Sequence, residues 1–191
     1  MNNVTSEEKY QQQHSPRVTE ILYTIAKPED ILDECIHTLM GGEQGTSKKD
    51  WSVAVELFQV CPKIARVTGE WGRYALHYAC SNQAPLFVVL ALLEVYPKAA
   101  HKKATWRAGG WLPMHCAAAC NAPVDVVQAL LEQNIACAKA TDNDGRLPLH
   151  LACYHQADTE LVSALILAHD HGPREDDIEG NLPVHLWHWS V

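Results

Sequence analysis

Four glycines and four histidines recur along this chain on one shared spacing. Gly72, Gly110, Gly145 and Gly180 are separated by 38, 35 and 35 residues, and His77, His115, His150 and His185 keep the same three steps. Two residue types locked together over four copies mark a chain built from similar units laid end to end. The clearest copy runs from Thr141 to Cys153 and reads TDNDGRLPLHLAC. Its Asp144-Gly145 pair suits a tight turn, because glycine takes positive φ without a Cβ clash. Pro148 fits the first turn of a helix, where its fixed φ is already helical and no N–H is needed. Leu149, Ala152 and Cys153 then stand at i, i+3 and i+4, one small apolar stripe on one helical face. The other copies read GRYALHYAC from Gly72, GWLPMHCAA from Gly110 and GNLPVHLWH from Gly180.

A second block lies between the copies. Val88 to Leu93 (VVLALL) matches Val126 to Leu131 (VVQALL) and Leu161 to Ile166 (LVSALI), with an earlier relative at Val53 to Phe58. Each unit is therefore expected to be turn, short helix, loop and longer helix. The longer helices are expected at about 51–60, ended by Pro62, and at about 85–96, ended by Pro97. Ala91, Ala129 and Ala164 recur at one position and permit close approach between neighbouring pairs. The larger residues around them cannot be buried by one unit alone, so stacking supplies the core.

These features resemble the ankyrin repeat, whose period is about 33 and whose core reads Thr-Pro-Leu-His-x-Ala. Here the core is Leu-Pro-Leu-His-Leu-Ala at 147–152, and the resemblance covers roughly residues 50–191. It implies an all-α, ankyrin-like solenoid of stacked antiparallel helix pairs with projecting finger loops. It also implies that the motif histidines make structural hydrogen bonds near the turn. Three departures stand out. The family's threonine is Tyr74, Leu112, Leu147 and Leu182 here, which removes a capping hydroxyl of about 1 kcal/mol per helix and leaves apolar packing before the helix to replace it. The family's proline is Ala75 in the first clear copy, and the period is two residues longer. The expected organisation is a flexible polar tail over 1–16, degenerate cap helices and a loop over 17–50, and repeats over 51–191, the last one incomplete.

The resemblance implies a non-enzymatic scaffold that binds another protein through its fingers and the concave face of the inner helices. A net charge of −8 disfavours generic binding to nucleic acid or an anionic membrane. No stretch approaches the roughly 20 apolar residues of a membrane span. Seven cysteines, an odd number placed partly on apolar helical faces, read as reduced thiols. Together these point to an intracellular, cytoplasmic chain without a cofactor.

The excess of histidine and cysteine keeps a metal-dependent or thiol enzyme in view as the rival class. His77 and Cys80, His150 and Cys153, and His185 and His188 each stand at i, i+3, but within a repeated core motif and without a four-ligand set. Cys116, Cys120 and His115 share one short helix that offers no base with its own orienting group. The interval from Lys98 to Trp111 is three residues longer than its neighbours and carries Lys98, Lys102, Lys103 and Arg107 without an acid. Trp106 and Trp111 beside those cations suggest an interface anchor for an acidic partner, with nucleic acid as the less favoured ligand. The last finger is the reverse, with Asp170, Glu175, Asp176, Asp177 and Glu179 opposed only by Arg174. By position in the repeat, the candidate partner-binding residues are Trp71, Arg73, Asn82, Lys102, Lys103, Trp106, Arg107, Trp111, Asn143, Arg146, Tyr154 and Glu179.

Overall fold

The structure is a computed structural model that describes residues 15, 16, 18 and 51–187, except for the side chain of Trp106. Most of the expected tail and cap helices, and Trp189 at the other end, lie outside the described residues. Ser15 donates its N–H to Glu56 Oε1 at 2.7 Å, and Val18 is fully buried in the core.

Eight α-helices occur among the described residues, in two rows. The ten-residue helices α1 (Trp51–Val60), α3 (Leu86–Val95), α5 (Val124–Gln133) and α7 (Thr159–Ala168) pack on one another in sequence to form the outer row. The inner row contains the seven-residue helices α2 (Ala75–Ser81), α4 (Pro113–Ala119) and α6 (Pro148–Tyr154), followed by the single turn α8 (Pro183–Leu186). The two rows share one core. Leu57 and Phe58, Val88 and Leu92, Val126 and Leu130, then Leu161 and Leu165 are its outer-row members, each almost wholly removed from water. The inner helices contribute Leu76, Met114, Leu149 and Leu151.

Each inner helix starts without a side-chain oxygen to cap it. The residue before the helix is Tyr74, Leu112, Leu147 or Leu182, and its N–H instead donates to Nδ1 of the histidine three residues on, at 3.0 to 3.1 Å. That is half of a capping box, supplied by imidazole in place of a carboxylate. It satisfies a backbone donor that the missing threonine could not have reached.

The inner helices end in a left-handed residue that is not glycine. Gln83, Asn121 and Gln156 have φ of 53°, 50° and 53°. After α2 the Ala84 N–H donates to Ala79 O and the Gln83 N–H to Cys80 O, the paired bonds of a Schellman motif. Two of these residues offset their backbone strain by reaching the next repeat. Gln83 Nε2 donates to Cys120 O at 2.7 Å, and Asn121 exchanges two bonds with Asp158 at 2.9 and 3.0 Å.

One element goes beyond the expected unit. After α1, α3 and α5 the chain does not simply stop but makes a 3-10 turn at Pro62–Arg66, Pro97–His101 and Ile135–Lys139, with a shorter one at Gly172–Arg174. One buried residue recurs in each, at Ile64, Ala99, Cys137 and Gly172, and ties the return loop to the core.

Candidate functional site

The fingers between an outer helix and the next inner helix hold most of the candidate residues, and their backbone is closed in one way throughout. A carbonyl just before the inner helix accepts an N–H from the start of the finger. The pairs are Gly69 to Arg73, Ala104 to Trp111, Asp142 to Arg146 and Asp177 to Asn181, at 2.8 to 3.0 Å. Each of the last three carbonyls faces the motif histidine of the preceding repeat. His77 Nε2 lies 3.0 Å from Trp111 O, His115 Nε2 3.3 Å from Arg146 O, and His150 Nε2 3.1 Å from Asn181 O. Since Nδ1 accepts from the N-cap amide, the proton must sit on Nε2, which donates to the carbonyl. Burial holds His77 and His115 at a pKa of about 4 and lowers that of His150, so all three stay neutral near pH 7. Neither ring nitrogen is left for a metal ion.

Adjacent fingers are also joined tip to tip. Thr105 N–H donates to Trp71 O, Asn143 N–H to Gly109 O and Ile178 N–H to Asp144 O, at 2.9 to 3.1 Å. Donors and acceptors both advance by 38 and then 35 residues, so the joint is the same at each interface. In the third and fourth fingers the donor and the acceptor position are neighbours. In the second they are Thr105 and Gly109, and the three residues between them form the 3-10 turn Trp106–Ala108. Those are the extra residues of the longer interval.

The third finger is organised by Asp142, whose side chain is fully buried. Its Oδ1 accepts the N–H of Asp144 and of Arg146, both at 2.9 Å, and its Oδ2 accepts Arg146 Nε at 3.0 Å and Trp111 Nε1 at 3.1 Å. Arg146 also reaches Asp144 Oδ2 at 2.6 Å, so one guanidinium spans two carboxylates. In the fourth finger Asp177 takes the place of Asp142 and accepts Glu179 N–H at 3.0 Å and Asn181 N–H at 2.8 Å. Partial burial pushes its pKa up, but the amides of Asn181 and Glu179 outweigh that and bring the carboxyl below its usual value.

Between these two fingers and the inner row lies a cleft of about 330 Å³, lined by Asp144, Arg146, Leu151, Tyr154, Asp177, Glu179, Asn181 and Leu186. Its lining mixes the polar groups of the two fingers with the apolar side chains of Leu151 and Leu186. Such a mixture anchors a side chain through its stem and its head together.

The family model described as Ankyrin repeats (3 copies) matches residues 33–141 and, in a second overlapping match, 88–179. The chain belongs to the ankyrin-repeat family. A search of curated proteins found no match.

The ankyrin framework sorts the sequence candidates by place. Arg146, Tyr154 and Glu179 come together in the cleft. Trp71 and Arg73 form a pair of their own in the first finger, with the guanidinium 5.7 Å from the centre of the largely exposed indole. Lys102 and Arg107 are exposed on the second finger, while Lys103 reaches across to donate to Thr141 O at 2.7 Å. Asn143 is exposed at the third tip, whereas Asn82 donates to Tyr78 O at 2.9 Å and closes the end of its own helix. Trp111, expected as an apolar anchor at the surface, is half-buried against the core and bonded through its N–H to Asp142. Trp106 begins the inserted turn, but its side chain lies outside the described part of the molecule.

Sequence reasoning placed Asp144 in a turn and Asp177 in an acidic finger without making either a partner-binding residue, and it left out Leu151 and Asn181. Comparing copies 35 residues apart brings out the finger residues: Asp142-x-Asp144-x-Arg146 becomes Asp177-x-Glu179-x-Asn181. The thiols named for nucleophilic chemistry are poorly placed for it. Burial raises Cys116 to about 11 and Cys120 above its usual value, and a nucleophilic cysteine needs the opposite shift. No helix among the described residues is long and apolar enough to cross a membrane.

Proposed function

We propose that this ankyrin-repeat chain is a non-enzymatic scaffold whose protein partner lies across the finger tips and the adjoining inner-helix face. Ankyrin repeats are in general protein–protein interaction modules. The observation that carries the reading here is the tip-to-tip row of backbone bonds from Trp71 to Ile178, which fixes four fingers relative to one another. A surface ordered before binding loses little conformational entropy when a partner arrives. Trp71, Lys102, Arg107, Asn143 and Glu179 are exposed along that row. An acidic segment of the partner faces Lys102, Lys103 and Arg107, whose charges act chiefly on the rate of encounter.

Affinity capture with the intact chain, followed by peptide identification, supplies the partner for the test. Trp71→Ala should weaken the captured complex, and the combined Lys102→Glu and Lys103→Glu variant should slow its association, most strongly at low salt. A complex whose affinity and association rate ignore both variants, with the variants still folded, sinks the finger-surface reading.

A further inference from the structure

We infer that the cleft between the last two fingers takes an arginine side chain from a basic segment of the partner; the inference rests on the scaffold reading above and names the chemistry of one of its contacts. The molecule carries its own comparison. In the third finger two carboxylates, Asp142 and Asp144, are spanned by the guanidinium of Arg146 at 3.0 and 2.6 Å. The fourth finger repeats the carboxylates as Asp177 and Glu179 but has Asn181 at the arginine position. The Asn181 amide reaches toward both, at 3.3 Å to Asp177 Oδ2 and 3.3 Å to Glu179 Oε2. One neutral nitrogen thus stands where a cation stood, and the pair keeps both negative charges.

Asn181 lines the cleft beside Asp177 and Glu179, and there Leu151 and Leu186 offer apolar contact to an arginine stem. Tyr154, 45% exposed, stands one repeat after Ala119 and adds an aromatic ring on which a guanidinium can stack. Arg146 also lines the cleft, but its one positive charge is paired with Asp142 and Asp144 and stands against three lining carboxylates, Asp144, Asp177 and Glu179, so the site stays net negative. Three observations therefore coincide: a carboxylate pair without the arginine that its third-finger counterpart carries, an adjoining cavity, and an exposed aromatic ring in the lining. A planar fork matches two carboxylates better than an ammonium does, which selects arginine over lysine.

The test uses the full chain, isotope-labelled for amide resonances, titrated with a capped alanine pentapeptide bearing a central arginine and with its lysine and glutamate analogues. The arginine peptide should move the amides of Tyr154, Glu179 and Asn181, the lysine peptide less, and the glutamate peptide not at all. Asn181→Arg rebuilds the fork of the third finger, an arrangement the repeat already accommodates, and should abolish the response. Glu179→Gln should weaken it roughly tenfold, the scale of one charge-assisted hydrogen bond. Lys63→Glu, at an exposed site on the 3-10 turn after α1, should leave it unchanged. The inference is overturned if millimolar arginine peptide leaves these amides in place, or if the Asn181→Arg variant responds like the parent. Neither result touches the scaffold reading, which is judged on the captured partner and the first two fingers.

Discussion

His77 donates its Nε2–H to the carbonyl oxygen of Trp111, a residue 34 positions further along the chain, at 3.0 Å. The same oxygen receives Ala104 N–H at 2.8 Å, so one acceptor closes its own finger and ties that finger to the repeat before it. The arrangement works only with a neutral ring, since a second ring proton on Nδ1 would face the N–H of Tyr74.

A dependence on pH follows. The folded pKa of about 4 for His77 and His115 lies below the unfolded 6.5, so between those values the unfolded chain binds more protons. Stability is therefore complete above about pH 6.5 and falls as pH drops toward 4, by up to roughly 3 kcal/mol for each histidine. The lowered carboxyl of Asp177 acts in the same direction at still lower pH. Urea midpoints at pH 7 and pH 5 should differ clearly for the parent and less for His115→Leu, which starts from lower stability. His185 is exposed, and replacing it should cost less than about 1 kcal/mol, because the cap bond it accepts from the Leu182 N–H is open to water.

Asp142 is the second point of leverage. It accepts four hydrogen bonds, one from the neighbouring finger, with its side chain out of water. Asp142→Ala should cost roughly 3 kcal/mol or more. Trp111→Phe keeps most of the bulk and loses one bond to the carboxylate, for roughly 2 kcal/mol. In both variants hydrogen exchange should speed up at the Gly145 amide, which closes the same turn on Asp142 O.

The left-handed residues after the inner helices predict a contrast. Gln156 is exposed with φ of 53°, and Gln156→Gly should stabilise the chain by about 0.5–1 kcal/mol by relieving the Cβ clash, net of the extra freedom of the unfolded glycine. Asn121→Gly relieves the same strain but loses both bonds to Asp158, so it should be neutral or destabilising. Thermal unfolding of the two variants side by side checks the sign.

Thiol labelling separates a packed core from a nucleophilic site. Burial lifts Cys116 and Cys153 to about 11, Cys137 to about 12 and Cys80 higher than its ordinary value, so at neutral pH almost none is thiolate. Iodoacetamide should modify these four only after unfolding. A native-state rate at Cys116 or Cys120 above that of a free thiol would restore the thiol-enzyme reading.

Much of this architecture was legible before the structure. The locked steps of glycine and histidine located the turns and inner helices, and Pro62 and Pro97 marked the ends of α1 and α3. The 3-10 turns were not legible, because a proline after a helix reads equally as a stop or as a first turn, and only burial at Ile64 or Ala99 separates the two. That the motif histidines make structural hydrogen bonds near the turn came through resemblance, while their capping of the inner helices and the bond from each buried ring to the next finger were shown only by the structure. Three cleft residues were found from their places in single repeats. The cleft itself was not, because its lining comes from two fingers and two inner helices that meet only in space.

The second finger closes on itself across seven residues, from Ala104 to Trp111, where the others close across four. Its three extra residues sit inside that closure, between the donor Thr105 and the acceptor Gly109, and alter neither the bond to the finger before nor the bond to the finger after. Length is thus uncoupled from stacking at this one place. Closing a longer loop costs only a slowly growing entropy, so the tip of the second finger is an open port: foreign sequence can be grafted between residues 105 and 109 while the helical stack on either side keeps its spacing.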